Sequence, residues 1–589
     1  MHALPLMVAT LCVLAIAYRF YSAFIAARVL ALDPARQTPA HARADGKDFV
    51  ATNKWVLFGH HFAAITGAGP LIGPVLATQF GFLPGLLWIL IGVTLGGAVH
   101  DFVILVSSVR KGGRSLAEIA REEVGPVAGL IASIAIFFTV VIAVAAMGYV
   151  VVQILAESPW ATFTIAMTIP IAIVMGLLMK RGGHDSIPWV SAAGVAALIG
   201  AVVGGRWMGE AWNFAPGTLV YLICLYGLLA SVVPVWLLLV PRDYLSAYMK
   251  VITILALVLG ILIVNPELRM DPVTEFVHGG GPLVPGKVFP FVFITIACGA
   301  ISGFHSLIAS GTTPKMVDRE PDCRTIGYGA MLMEGLVGVT SLIAASCLFK
   351  DDYFAINLKP EKLAALGMST QHLQQLALEM GEKTLAGRTG GSVSLAVGIA
   401  QIFAALPGMK ALLSYWYHFI VMFEAVFILT TVDAGTRVAR FLVQELLGRA
   451  SPELGRTESR AGTWLASIIV VLAWGSFLCT GSIQTLWPML GIANQLLATT
   501  ALCVGTAVII NSGRARYAWV TGLPMLFVGT TTLTAGYQSI FNFLKLGTVA
   551  GLVDALCTIV LMLACACILG EAAMRWFRLR PAPRVSTAS

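Results

Sequence analysis

What most constrains this chain is a succession of apolar runs, each of about twenty residues and so long enough to cross a bilayer as a helix. They start near Ala3, Lys54, Phe82, Gly125, Trp160, Ile187, Gly217, Tyr244, Lys287, Thr325, Lys410, Gly462, Leu486, Tyr517 and Thr548. Charged residues are only 12% of the 589, where a soluble domain carries roughly 25%. Too few polar side chains remain to coat a water-soluble particle of this size, so lipid must cover most of the outside. In hydrocarbon each backbone N–H and C=O needs a partner within the protein, which makes the helix the building unit. The expectation is an all-α integral membrane protein with about fifteen transmembrane helices.

The net charge of +8 comes from Lys and Arg in short loops. No basic patch with interleaved aromatics is present, so no nucleic acid is expected and the lipid bilayer is the large partner. The ten cysteines stand singly, mostly inside apolar runs, and support neither a disulfide framework nor a thiolate metal site. The run from Ala3 to Leu30 is too long for a signal peptide and is expected as a retained helix.

Loop charge gives the orientation. Arg28, Arg36 and Arg43 follow the first run, Arg110, Lys111, Arg114 and Arg121 the third, Arg181 the fifth, and Lys315, Arg319 and Arg324 the ninth. Simple alternation puts all of them on one side, which is then cytoplasmic. Arg437, Arg440 and Arg460 join that side only if residues 391–433 cross once, so Gly391–Pro407 is expected as a re-entrant or extracellular hairpin. The N-terminus is then periplasmic and the C-terminus cytoplasmic, in a bacterial inner membrane. The resulting plan has an extra N-terminal helix and loop (1–51), a first repeat with inserted helices (52–265), and the start of a second repeat (266–349). A long extracellular loop with the hairpin follows (350–409), holding a polar helical stretch around Glu361–Glu379, and then the C-terminal helices and tail (410–589). The basic, amphipathic segment from Asp433 to Gly448 is expected to lie along the membrane surface.

Two runs carry helix breakers at their centres. His60-His61-Phe62-Ala63-Ala64-Ile65-Thr66-Gly67-Ala68-Gly69-Pro70 continues to Gly73-Pro74, and Gly299-Ala300-Ile301-Ser302-Gly303-Phe304-His305 continues to Gly311-Thr312-Thr313-Pro314. Glycine and proline at this density interrupt a helix. An interruption at membrane depth is tolerated where the freed backbone meets protein, water or a solute. Ala64-Ile65-Thr66-Gly67 nearly matches Ala300-Ile301-Ser302-Gly303, and the two copies lie seven runs apart. That odd number makes them face opposite ways across the bilayer. Paired broken helices in an inverted repeat point to a secondary-transporter site. Half-helix N-termini suit a carboxylate, and unwound carbonyls suit a cation. His60, His61, Thr66, Gly67, Gly69, Ser302, Gly303 and His305 are therefore the candidate substrate-binding residues.

Ionisable residues at membrane depth are costly and usually functional. His100, Asp101, Glu334, His418 and Glu424 fall inside apolar runs and are candidates for ion coupling. Histidine and a desolvated carboxylate both suit proton transfer, while Thr430 and Thr431 offer hydroxyls to sodium. The coupling ion is expected to be a proton, with sodium as the alternative. His100 and Asp101, as neighbours on one helix, are expected to point along different faces. No metal is assigned, because neither HExxH nor a zinc-ligand spacing is present, and no further cofactor is expected.

Asn53-Lys54-Trp55-Val56-Leu57-Phe58-Gly59-His60-His61-Phe62, continuing through Gly67-Ala68-Gly69-Pro70-Leu71-Ile72-Gly73-Pro74, closely resembles the signature of the carbon starvation protein A (CstA) family. Gly97-Ala98-Val99-His100-Asp101, Gly311-Thr312-Thr313-Pro314-Lys315 and Trp416-Tyr417-His418-Phe419 through Val432-Asp433-Ala434-Gly435-Thr436-Arg437 also resemble it. The resemblance implies an inner-membrane uptake system used when carbon is scarce, for peptides or for pyruvate with protons. It also implies a LeuT/APC-like fold of two five-helix inverted repeats. The seven-run spacing fits that plan if two helices, those starting near Gly217 and Tyr244, are inserted. The expected function is proton-coupled symport of pyruvate or a short peptide. The alternatives weighed are a membrane-embedded metal-dependent hydrolase and a non-transporting nutrient sensor. The sequence assigns no oligomeric state.

Overall fold

The computed structural model describes residues 1–44, 49–182, 187–233, 237–359, 362–363, 371–455, 459–481 and 483–577. Among these, ten helices are long and apolar enough to cross a bilayer, and one bent pair makes an eleventh such span. The chain is a multi-pass helical membrane protein. Its principal helices are α1 (Ala3–Leu30), α2 (Lys54–Ile65), α3 (Gly69–Phe80) and α4 (Phe82–Arg110). There follow α5 (Pro126–Glu157), α6 (Pro159–Gly182), α7 (Ile187–Met208), α8 (Pro216–Val232) and α9 (Leu239–Val264). The second half opens with α10 (Val288–Thr295), α11 (Gly303–Ala309) and α12 (Arg324–Ser346). It continues with α13 (Ser392–Ala404), α14 (Leu413–Ala450), α15 (Arg460–Thr480), α16 (Ile483–Ile509), α17 (Trp519–Leu544) and α18 (Val549–Phe577).

Composition sets which side of each helix meets lipid. On α9, Ile252, Leu255, Leu259 and Ile263 are exposed, whereas Lys250, Ile254, Leu257 and Ile261 are buried. On α18, Leu552, Leu556, Ile559 and Leu563 form a similar exposed apolar stripe. An apolar stripe at helical spacing on the outer surface is what hydrocarbon requires. Burial is greatest at the centre, where α4 and α12 have 83% and 89% of their spanning windows inside the protein.

Both interruptions form. α2 and α3 meet at 49° across Thr66-Gly67-Ala68. Pro70 stands in the first turn of α3, where its missing N–H costs no hydrogen bond. The second break separates α10 from α11 over Ile296–Ser302. α4 carries a π turn at Val93–Gly97 just before His100-Asp101. A π turn releases a carbonyl from the regular ladder, and the Thr94 carbonyl accepts from the Tyr328 hydroxyl of α12 at 2.8 Å.

Three expectations change. The segment from Asp433 to Gly448 is not a separate surface helix but the continuation of α14, with Asp433 fully buried. Asp433 is held by Arg242 of α9, 2.9 Å away, so the helix is anchored inward where the basic pattern alone suggested the interface. The run expected near Tyr244 begins at Leu239. The region after α12, expected as a long loop whose helical stretch lies around Glu361–Glu379, already holds a short helix at Lys350–Asn357, which buries Tyr353, Phe354 and Ile356, and the Tyr353 hydroxyl donates to Val75 O of α3 at 2.7 Å. Another short helix, Gln371–Met380, covers part of the expected polar stretch; Glu361 lies outside the described residues. Gly391–Pro407 contains the 13-residue α13. At 1.5 Å per residue that is about 20 Å, short of the roughly 30 Å hydrocarbon core.

Glycine lets α4 and α16 close on the second break. A Cβ on Gly97 would run into Ala300 O, and one on Gly303 into Asn494 O, whereas Gly59 has nothing within 4 Å. Overpacking of this kind costs about 1–3 kcal/mol. Gly97→Ala and Gly303→Ala should each lower the melting temperature of the detergent-purified protein, while Gly59→Ala, in open space inside α2, should not lower it. Wild-type melting in the first two would mean that the helices do not approach this closely.

Candidate functional site

The two breaks face each other. Gly69 at the start of α3 packs on Cys298, Gly299 lies against Pro70, and Gly73 abuts Thr295 O. Each break has its freed backbone taken up by side chains from other helices. At the second, Trp88 Nε1 of α4 donates to Ile296 O at 2.9 Å, and Gln495 Nε2 of α16 donates to Phe293 O at 2.6 Å. Asn494 Oδ1 accepts from the Phe304 N–H at 2.8 Å, capping α11. At the first, Lys250 Nζ of α9 donates to Ala63 O and Thr66 O, both at 2.9 Å.

Between the breaks lies a chain of titratable groups. His100 Nδ1 donates to Asp101 Oδ1 at 2.6 Å, and His305 Nδ1 donates to Asp101 Oδ2 at 2.9 Å. His305 Nε2 then faces Glu334 Oε2 at 3.0 Å. That last contact is off hydrogen-bond alignment, and neither Glu334 oxygen has another partner. Every one of these side chains is buried. His100 and Asp101 thus touch at their tips, although neighbours on one helix point along different faces. Their side chains leave the helix in different directions, but the imidazole is long enough to swing its Nδ1 back to the neighbouring carboxylate.

The chemistry available follows from the donor inventory. An imidazole whose Nδ1–H is committed to Asp101 offers Nε2 as an acceptor to a protonated Glu334; once it takes that proton it becomes a donor to the carboxylate. The proton can therefore sit on Glu334 or on His305 with little movement of heavy atoms. Three different elements (α4, α11 and α12) supply the members, so the chain depends on how they pack.

The other candidates are distributed around this centre. His61 Nδ1 meets Thr313 Oγ1 at 2.8 Å, joining the first signature to the Gly311–Pro314 stretch, and its Nε2 is buried without a partner. His60 is on the exposed side of α2, away from these contacts. Thr66 is buried with its hydroxyl unpartnered, and Gly67 lies against the Thr431 hydroxyl of α14. Ser302 shares Asn494 with the α11 cap, its Oγ 3.2 Å from Asn494 Oδ1, while Gly303 starts α11. Thr430 spends its hydroxyl on Phe427 O, 2.6 Å away on its own helix.

His418 and Glu424 are not part of the central chain. His418 stacks on Trp160 with centroids 3.7 Å apart and faces Glu382 at 3.3 Å. Glu382 also takes Arg388 Nη2 at 2.7 Å, forming a separate polar group. Glu424 accepts from the Ser392 hydroxyl at the start of α13.

Four residues at the site went unrecognised in the sequence: Lys250, Asn494, Gln495 and Trp88. Asn494-Gln495 is a polar pair in the apolar run from Leu486, and Lys250 is a lone cation in the run from Tyr244. Polar groups within a span are rare enough to be a signal. Lys250 stands only six residues into its run, where a lysine ordinarily reaches the interface.

A family model described as Carbon starvation protein CstA matches residues 2–535. The peptide transporter CstA of Bacillus subtilis (strain 168) is 44% identical over 587 residues, covering 98% of each chain. The protein of the same name from Escherichia coli (strain K12) is 48% identical over 572 residues, covering 92% of this chain and 82% of its own. The pyruvate/proton symporter BtsT of Escherichia coli (strain K12) is 43% identical over 587 residues, with the same coverage of 92% and 82%. With matches of this length on top of the shared signature residues, the chain belongs to the carbon starvation protein CstA family.

Proposed function

We propose that this chain is a proton-coupled symporter that takes up pyruvate or a short peptide across a bacterial inner membrane. The observation that carries this reading is the buried chain Asp101–His305–Glu334, set between two broken helices and closed off from solvent. Relatives of the whole chain include a pyruvate/proton symporter and peptide transporters. Within this reading, Thr66, Gly67 and Gly69 at the first break and Ser302 and Gly303 at the second line the substrate position. The N-terminus of α3 is the carboxylate-binding end. The N-terminus of α11 is a poorer candidate, since Asn494 already accepts from it.

The same reading takes the helices as fifteen crossings with a periplasmic N-terminus and a cytoplasmic C-terminus, α13 being re-entrant. It takes the two breaks as the first helices of a LeuT/APC-like inverted repeat. Thr66-Gly67 and Ser302-Gly303 stand 236 residues apart, and the same offset places Glu334 opposite Ala98, one turn from Asp101. A symmetric pair of acids converging on one histidine is what such a repeat would produce.

Purified protein in liposomes tests the reading directly. Labelled pyruvate or labelled dipeptide should accumulate when the outside is made acidic, with no sodium present. Accumulation of neither under a proton or a sodium gradient would overturn it. Within the relay, Asp101→Asn and Glu334→Gln should abolish accumulation driven by the proton gradient while substrate exchange between loaded and unloaded sides persists. Wild-type accumulation in both variants would remove these carboxylates from coupling.

A further inference from the structure

A helix that ends at membrane depth leaves carbonyl groups at the negative end of its dipole, a place suited to a cation. At the end of α2 that place is filled from within the chain. Lys250 Nζ lies 2.9 Å from Ala63 O and 2.9 Å from Thr66 O, and 3.9 Å from the centroid of the Phe427 ring on α14. An ammonium has three donors and no acceptor. Two go to the carbonyls, and the ring beside it adds a cation–π contact. The side chain is 1% exposed, and the lipid face of α9, marked by Ile252, Leu255 and Ile263, is on the other side of the helix. Lys250 therefore does not snorkel to the interface. It enters the protein at the one turn where the main chain of a neighbouring helix is unwound, beside the buried and unpartnered Thr66 hydroxyl.

We propose that Lys250 is the resident cation of the first break: its ammonium, carried on α9, occupies the seat a free monovalent cation would need there, so this break binds no sodium. The proposal rests on the transport reading only for the uptake measurement below. It also ties α9 directly to the unwound main chain at the end of α2.

Removing the side chain should open the seat. In Lys250→Ala, sodium or ethylammonium added to the detergent-purified protein should raise the melting temperature relative to N-methylglucamine at equal ionic strength. Wild type should show no such preference, and neither should Lys250→Met, which fills the volume without charge. In liposomes Lys250→Ala should lose uptake about tenfold or more, the scale of one charge-assisted hydrogen bond, and regain it with ethylammonium. A sodium-specific rise in wild type, or indifference of Lys250→Ala to both cations, would overturn the proposal. Lys250→Ser, with a hydroxyl left near the carbonyls, serves in the same way if Lys250→Ala does not fold. Should wild type carry neither pyruvate nor dipeptide, the transport reading fails, and the melting comparison still decides Lys250.

Discussion

A helix that stops inside a bilayer leaves carbonyls and amides that lipid cannot satisfy, and this structure is organised around supplying those partners. Lys250 takes Ala63 O and Thr66 O, Trp88 takes Ile296 O, Gln495 takes Phe293 O, Asn494 takes the Phe304 N–H, and Tyr328 takes Thr94 O. An unpaired backbone group in hydrocarbon costs several kcal/mol, so each of these side chains is fixed by the group it serves. The donors come from α4, α9, α12 and α16, which ties the two breaks into one assembly. The tight glycine contacts follow from it, because a side chain can reach a broken turn only where the helices nearly touch.

The same requirement explains what could be read in the sequence. Breaks are written in local chemistry, Gly67, Gly69 and Pro70 in one run and Gly299, Gly303 and Pro314 in the other, so their existence was legible. Asp101, His305 and Glu334 were legible as well, because ionisable groups stand out against an apolar background. Their pairing was not, since it depends on α4, α11 and α12 meeting at one height. His100 and Asp101 show the limit clearly: helix geometry separates neighbouring Cβ atoms, but the reach of an imidazole brings its nitrogen back to the carboxylate. The surface helix expected after Asp433 failed for a related reason. Its basic pattern is real, yet Arg242 on α9 claims Asp433 and keeps α14 straight into the interior.

Two of the polar groups among the described residues share no member. One is the central chain between the breaks. The other joins Glu382 with Arg388 and His418 and backs onto Trp160. Separation matters because charges in a low-dielectric interior act over long distances, and a mobile proton is useful only if a few groups compete for it. His418 and Glu424 resembled the central residues in sequence, being ionisable and apolar-flanked. Packing places them with other partners, whereas His100, Asp101, His305 and Glu334 meet one another.

Charge balance connects the proposed relay to the proposed resident cation. With Lys250 charged and both Asp101 and Glu334 ionised, a neutral His305 leaves one negative charge uncompensated in the core. A proton on His305 or on Glu334 removes it. Moving an uncompensated charge through a rearranging interior is penalised by desolvation, whereas a neutral set moves at much lower cost. Under the proposed coupling, the fixed ammonium would leave the relay one proton short of neutrality, and that missing proton is the one a gradient would supply.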